Sequence, residues 1–313
     1  MHVTRARSDS TVRVCLPGTR RVNLAAFMSN ELSEILQIAI HIAHGAGAIL
    51  REGLQHVAEA SAVARIAYKS AETDPVTEYD HRSEAYIVEQ LTKHFPAHHI
   101  VGEEGGAYAA NSHSAFEWHV DPLDGTVNFA HGFPVFAVSL GLLIEGVPSV
   151  GVVYNPVTEE TFTATRGGGA ALNGQPIQVS ATAVLSRALL NTGFPYDRRT
   201  SPENNFEPFL AFQRASQEVR RVGSAALDCC TVACGRMDGY WELKIRSWDI
   251  AAGLLIVQEA GGRVTDFDGA TDMLSKRRIV ASNGRIHDEM LSLLQATLSA
   301  AHDSHQPSLS SIP

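Results

Sequence analysis

Asp121-Pro122-Leu123-Asp124-Gly125-Thr126-Val127-Asn128-Phe129 sets two carboxylates three residues apart around a proline turn. Just before it, Phe116-Glu117-Trp118-His119-Val120 alternates like a strand that stops at Asp121-Pro122. Carboxylates so spaced can converge on one point, and the amides of Gly125 and Thr126 stay free if a helix starts there. That combination suits a hard cation with a phosphate, because Mg2+ takes carboxylate and carbonyl oxygens and shares phosphate oxygens with its ligand. It suits equally an ordinary Asp-Pro turn with Asx capping.

Acids elsewhere shift the balance. Glu103 and Glu104 end a short strand, His99-Ile100-Val101-Gly102, and Asp249 in Trp248-Asp249-Ile250 stands at the start of an apolar helix. Asp80 precedes a second helical pattern. Each has a plain alternative: a solvated loop acid for Glu103, an N-cap for Asp249, a helix cap for Asp80. Jointly, acids placed at so many element ends are what an acidic metal site in a layered α/β protein would show.

Working outward, Leu32, Ile35, Leu36, Ala39, Ile42, Ala43, Ala46 and Ile49 have helical spacing, with Asn30 as candidate N-cap and Gly53 as candidate stop. The second helix runs through Ala85, Ile87, Val88 and Leu91 and ends by Pro96. Strands are expected at Val135–Ile144, Pro148–Tyr154 and Glu160–Thr165, separated by turns at Gly146 and Asn155-Pro156. Past residue 185 strands alternate with helices: strands at 189–193, 219–223, 239–243, 263–266 and 278–281, helices at 206–218, 224–234 and 250–260. The expected division is a disordered leader over 1–29, an α+β half over 30–184 with an antiparallel sheet and most of the acids, an α/β half over 185–298, and a disordered tail over 299–313.

Composition narrows the class. With 313 residues, 44% hydrophobic and 19% charged, the chain can bury a large core without disulfides. Its 25 basic and 34 acidic side chains leave a net charge of −9, which speaks against a duplex nucleic-acid binder. Arg5, Arg7, Arg13, Arg20 and Arg21 against Asp9 make residues 1–30 +4 and the remainder −13. That head resembles an organellar transit peptide, or else is an extension ahead of a start at Met28. No run of about 18 apolar residues occurs, so no membrane span is expected. Cys229, Cys230 and Cys234 match no zinc spacing and suit core thiols in a reducing, cytoplasmic setting. Gly45-Ala46-Gly47 lacks the third glycine of a dinucleotide fingerprint, and Gly167–Gly169 suits a turn between strands. The scattered histidines, including His98 and His99, have no metal-ligand spacing, and no nucleophilic serine or cysteine elbow occurs.

Gly102-Glu103-Glu104, the 121–129 run and Trp248-Asp249-Ile250-Ala251-Ala252-Gly253, in this order, resemble the inositol monophosphatase family of Mg-dependent, lithium-sensitive phosphatases. The resemblance extends to Asp74-Pro75-Val76-Thr77-Glu78-Tyr79-Asp80, Gly167–Ala170 with Asn173-Gly174, Gly193-Phe194-Pro195 and Val222-Gly223-Ser224-Ala225-Ala226, and so covers about residues 30–295.

It implies an αβαβα layered fold, usually a homodimer, that hydrolyses a small phosphate monoester with two or three Mg2+ ions. Carried over motif by motif, Glu103, Asp121 and the Leu123 carbonyl would hold the first ion and Asp121, Asp124 and Asp249 the second. A third would lean on Glu103 through water. Thr126, hydrogen-bonded to Asp80, would orient and help deprotonate the attacking water, Lys69 would lie near the phosphate, and the Gly125 and Thr126 amides would bind its oxygens. Glu242 would take inositol hydroxyls and Ala225 a backbone contact to the ring, which points to myo-inositol 1-phosphate, with lithium competing at the second metal position. Lys244 stands where the family has a small residue, and a cation there favours a second phosphate or is simply solvated. Alternatives on the same core are fructose-1,6-bisphosphatase, histidinol phosphatase or nucleotide 3'-phosphatase activity, or a regulatory binding role with the transcription machinery.

Overall fold

In the computed structural model, residues 24–57, 67–68, 75–108 and 114–304 are described. A long helix α1 (Leu24–Val57) is followed by a two-stranded ribbon, β1 (Ala67–Tyr68) and β2 (Pro75–Val76), and by α2 (Glu78–His94). Strands β3 (His99–Gly102), β4 (Gly106–Tyr108) and β5 (Phe116–Asp124) then lead to a single helical turn, α3 (Thr126–Ala130). Next come β6 (Ala137–Ile144), β7 (Val147–Asn155), β8 (Glu160–Thr165), β9 (Gly169–Leu172) and β10 (Gln175–Pro176). These build an eight-stranded sheet ordered β10-β9-β8-β7-β6-β5-β3-β4, antiparallel except for the β3–β5 pair.

The later elements are β11 (Leu189–Thr192), α4 (Phe206–Ala215), β12 (Glu218–Arg220), α5 (Ala225–Ala233), β13 (Gly239–Leu243), α6 (Ser247–Glu259), β14 (Arg263–Thr265), α7 (Met273–Lys276), β15 (Arg278–Ser282) and α8 (His287–Ser304). Their five strands form a mixed sheet, β12-β11-β13-β15-β14.

Three apolar clusters stack these parts into five layers. Leu32, Ile35, Ala39, Ile42, Ala43, Ala46 and Leu50 of α1, with Ile87 and Leu91 of α2, pack on Val120, Leu140, Leu142, Val150 and Val152. The opposite face of that sheet meets α5 and α6, which also cover Tyr240, Ile279 and Ala281 of the second sheet. Trp241 and Val280, pointing the other way, join Phe212 of α4 and Leu294 of α8. The result is α1/α2, sheet, α5/α6, sheet, α4/α8. Residues Asn30–His56 of α1 are long and apolar enough to cross a membrane by length and composition, with a mean hydropathy of 1.2. Their buried stripe against the sheet makes α1 a core helix.

Two glycines set how closely the middle layer sits. Gly141 and Gly151 face each other across β6 and β7. A Cβ on Gly141 would lie 2.7 Å from the Ala251 Cβ and 2.8 Å from the Ala252 nitrogen, and one on Gly151 would lie 2.8 Å from the Ala252 carbonyl oxygen. The start of α6 therefore lies directly on backbone, and Asp249 comes with it.

Several expected boundaries move. Helix α1 begins at Leu24, inside the segment expected as a leader, and runs through Asn30 and Gly53. Gly53 is a contact point instead of a stop: a Cβ there would come within 2.6 Å of Tyr79 and 2.8 Å of Phe129. Helix α8 continues to Ser304, into the expected tail. Strand β5 does not stop at Asp121 but reaches Asp124 through a bulge, its pairing stepping from Asp121–Ser139 to Asp124–Ala137. Helix α4 ends at Ala215, since Gln217 and Glu218 turn to pair with the neighbourhood of β11. Cys229 and Cys230 are buried free thiols in α5.

His287 shows what the buried histidines do. Its two nitrogens meet the Thr265 hydroxyl at 2.9 Å and the Ser282 hydroxyl at 2.8 Å. Burial, then Arg263, pushes its pKa down to about 4. The unfolded chain would protonate it near 6.5, so its stabilising contribution is complete above that pH and is lost as pH falls toward 4. The contribution amounts to at most about 3 kcal/mol. Urea midpoints of the wild type and His287→Gln are expected to converge between pH 7.5 and 5; a gap independent of pH would contradict this.

Candidate active site

The bulge at the end of β5 places Asp121 and Asp124 on one side of the strand end, both in the interior, Asp121 only 1% exposed. The Leu123 N–H donates to Asp121 Oδ1 at 3.0 Å. Parallel pairing of β3 with β5 sets Gly102 against Val120, so that Glu103, whose N–H donates to the Val120 carbonyl at 3.2 Å, emerges beside Asp121. Glu84 of α2 secures that turn: its carboxylate accepts from the N–H groups of Glu104 at 2.9 Å and Gly105 at 2.6 Å. Ser83 adds a hydrogen bond to the Pro122 carbonyl at 2.9 Å.

Asp124 ties the start of α5 to the site. Its Oδ2 accepts from Ser224 Oγ at 2.5 Å and the Ala226 N–H at 2.7 Å, and its Oδ1 from the Ala225 N–H at 3.2 Å. Ala225 thus stands on the wall with its amide already engaged. Asp249 is not the N-cap of α6 but its third residue, accepting from the Arg246 N–H at 2.7 Å. A second link supports this helix end: Ser247 Oγ lies 2.8 Å from His119 Nδ1, and His119 Nε2 lies 2.9 Å from Glu117. His119 and Ser247 each precede a site acid by two residues.

Thr126 opens α3, with Gly125 before it at φ 101°, where only glycine is unstrained. The Thr126 hydroxyl lies 3.0 Å from Asp80 Oδ1 and 3.2 Å from the Leu123 carbonyl. Asp80 is the third residue of α2 and closes a capping box with Thr77, accepting from its N–H at 2.8 Å and its hydroxyl at 2.6 Å. Capping and the bond to Thr126 therefore coexist in one carboxylate.

These side chains line a cavity of about 490 Å³. Glu103, Asp121, Leu123, Asp124, Gly125, Thr126, Ala225, Glu242 and Asp249 are all on its wall, with Asp80 behind Thr126. Lys69 lies outside the described residues. Glu242 on β13 accepts from the Tyr240 hydroxyl at 2.7 Å, in space that Gly193 leaves free. Asp228, which no sequence signal singled out, also reaches the wall and accepts from Asn191 Nδ2 at 2.9 Å.

The electrostatics are those of acids forced together out of water. Burial, then Glu103, Asp124 and Asp249, raises the pKa of Asp121 well above the usual range. Burial and Glu103 do the same for Asp249. Burial lifts Asp124 and Asp80 to about 6, against hydrogen bonds that pull them down, and Glu242 to about 7. Among the described residues no three Asp, Glu, His or Cys side chains are gathered closely enough to hold an ion as they stand. The acids are instead spread onto backbone and hydroxyl donors, as mutual repulsion requires. The wall nevertheless fits a hard cation: its donors are carboxylates and a carbonyl, among the described residues it carries no imidazole or thiol, and its acids repel one another until positive charge is added.

Comparison with known proteins accords with this geometry. The inositol monophosphatase family model matches residues 31–299. Inositol-1-monophosphatase of Synechocystis sp. is 46% identical over 271 residues, covering 87% of this chain and 92% of its own length. Nus factor SuhB of Pseudomonas aeruginosa is 42% identical over 272 residues, covering 85% and 98%. Among solved structures, the inositol monophosphatase from Anabaena (Nostoc) sp. matches with a TM-score of 0.77 at 45% identity, covering 86% of this chain and 99% of that one.

Proposed function

The chain belongs to the inositol monophosphatase family and is a phosphoric monoester hydrolase, and from that premise we propose that it hydrolyses myo-inositol 1-phosphate, with Mg2+, by direct attack of water. The observation that carries this reading is the set of four acids, Glu103, Asp121, Asp124 and Asp249, on one cavity wall with Thr126. Those acids and the Leu123 carbonyl would hold two or three Mg2+ ions. When bound, Mg2+ neutralises charge on the phosphoryl and leaving oxygens and eases deprotonation of water at neutral pH.

The chain's own groups supply the rest. A water that donates to Thr126 Oγ1 is oriented there, and its proton can pass through the hydroxyl to Asp80, whose pKa of about 6 lets it accept. The first amides of α3, at Gly125 and Thr126, have no intrahelical acceptor and can donate to phosphoryl oxygens without rearranging. Glu242, held by Tyr240, faces the cavity where polyol hydroxyls would sit. Water oriented by Thr126 and Asp80 is the nucleophile in this reading, with no covalent intermediate on the chain.

Phosphate release from a panel of inositol, sugar and nucleotide phosphates tests this. Mg2+-dependent release, highest in kcat/KM for inositol 1-phosphate, stopped by EDTA and inhibited by lithium, is expected. Absence of Mg2+-dependent release from every member would sink the reading. The likeness to Nus factor SuhB supports a second role, binding to the transcription machinery. A catalytically dead variant that still complemented a deletion strain would favour that role.

A further inference from the structure

One acid on the cavity wall, Asp228, has no part in the metal set. It is the fourth residue of α5, only 2% exposed, and it lines the cavity with Gly193, Ala225 and Glu242. One of its oxygens is anchored: Oδ1 accepts from Asn191 Nδ2 at 2.9 Å. The same Asn191 nitrogen lies 3.2 Å from the Asp228 carbonyl and 3.1 Å from Thr231 Oγ1, and the Thr231 hydroxyl donates to that carbonyl at 2.8 Å. These bonds hold the side chain in one orientation, while Oδ2 has no hydrogen-bond partner among the described residues.

Asn191 and Gly193 stand two positions apart at the end of β11, and each serves one acid. Asn191 holds Asp228, whereas Gly193 leaves the space that the Glu242 carboxylate fills, since a Cβ there would overlap it. Glu242 is fixed in turn by the Tyr240 hydroxyl at 2.7 Å. The two acids are near enough to interact: burial, then Glu242 and Asp124, raises the pKa of Asp228 well above the usual range, against Arg221 and Asn191. Burial lifts Glu242 to about 7, against Tyr240 and Arg221. At neutral pH Asp228 therefore keeps its proton and can donate, while Glu242 can accept. An acid buried beside two others costs stability that an asparagine, which could accept from Asn191 equally well, would avoid.

We infer that Asp228 is a specificity-determining residue whose carboxyl donates to one hydroxyl of the leaving group while Glu242 accepts from the next, so that the pair selects an uncharged polyol with adjacent free hydroxyls. A hydroxyl both gives and accepts a hydrogen bond, so a donor beside an acceptor matches two neighbouring hydroxyls. A leaving group without hydroxyls leaves both buried acids unpartnered, which is how a polar pocket discriminates most strongly. The inference rests on the phosphatase reading and adds to it a residue that recognises the leaving alcohol.

The test measures kcat/KM, with saturating Mg2+, for myo-inositol 1-phosphate and for phenyl phosphate, whose leaving group has no further hydroxyl, in the wild type, Asp228→Ala and Asp228→Asn. The ratio of the two constants is expected to fall roughly tenfold in Asp228→Ala and to stay within about threefold of the wild type in Asp228→Asn, whose amide still donates. Should the alanine variant fail to fold, Asp228→Ser, which keeps a hydroxyl for Asn191 but is too short to reach the substrate, is expected to lower the ratio in the same way. A purely structural role for Asp228 predicts equal losses on both substrates. That result, a ratio unchanged in the alanine or serine variant, or a ratio that collapses equally in Asp228→Asn, overturns the inference and leaves the phosphatase reading standing. No Mg2+-dependent release of phosphate from myo-inositol 1-phosphate by the wild type overturns both.

Discussion

Asp121→Asn is expected to lower Mg2+-dependent turnover by at least about a thousandfold while making the metal-free protein more stable. The first effect follows from the place of Asp121 between Glu103, Asp124 and Asp249 on the cavity wall, where on the proposed assignment its carboxylate would serve both ions. The second follows from the same crowding. Folding raises the pKa of Asp121 through burial and its three acidic neighbours, so ionisation destabilises the folded chain as pH rises through that pKa. An asparagine keeps the oxygen that accepts the Leu123 N–H and discards the charge. In EDTA at pH 7 the variant's Tm should therefore exceed the wild type's by a few °C. Added Mg2+ should stabilise the wild type, by about 2.7 kcal/mol at a hundred times its Kd, and the variant far less. Near-normal turnover in the variant would remove the metal assignment, and a lower Tm in EDTA would remove the repulsion argument.

Gly141→Val is expected to be the most damaging change away from the cavity. Its Cβ would meet Ala251 and Ala252 at less than 3 Å, and the larger valine leaves α6 no room on β6. Overpacking of this kind costs about 3 kcal/mol. Because Asp249 sits two residues before Ala251 on the same helix, the shift should also weaken Mg2+ binding, which calorimetric titration of the folded fraction would show. A variant that lost stability but bound Mg2+ with unchanged affinity would mean that the position of Asp249 is set elsewhere, for example by Ser247 and His119.

Much of this arrangement was readable from local patterns. Strands β3, β8 and β13 have the bounds that alternation and flanking turn residues suggested, because glycine and Asn-Pro punctuate them. The C-terminal end of α1 was misplaced because Gly53 serves packing against Tyr79 and Phe129, a use that spacing does not reveal. The same division runs through the site. Asp121, Asp124, Thr126 and Asp249 announced themselves by motif, and the structure brings them to one cavity. Glu84 and Ser83, which hold those residues in place, left no comparable sign, since their partners lie 20 and 39 positions away, and Ser224, though part of a quoted motif, gave no hint that it bonds Asp124, 100 positions away. The His119–Ser247 link spans 128 positions and joins a strand to a helix, so no periodicity within either element could expose it. Lys244 drew attention as a cation, yet its charge is taken up by Asp197.

The glycine-floored contact between β6, β7 and α6 also has a consequence for the order in which the protein is made. A ribosome completes the first sheet with Pro176, but the helix that covers its second face does not end until Glu259. Through the intervening translation Val153, Phe162 and Ala164 have no cover on that side, and the acids at the end of β5 face water without Asp249. The nascent chain is therefore expected to be most exposed to aggregation late in synthesis, and on the proposed metal assignment it would gain metal affinity together with a closed core.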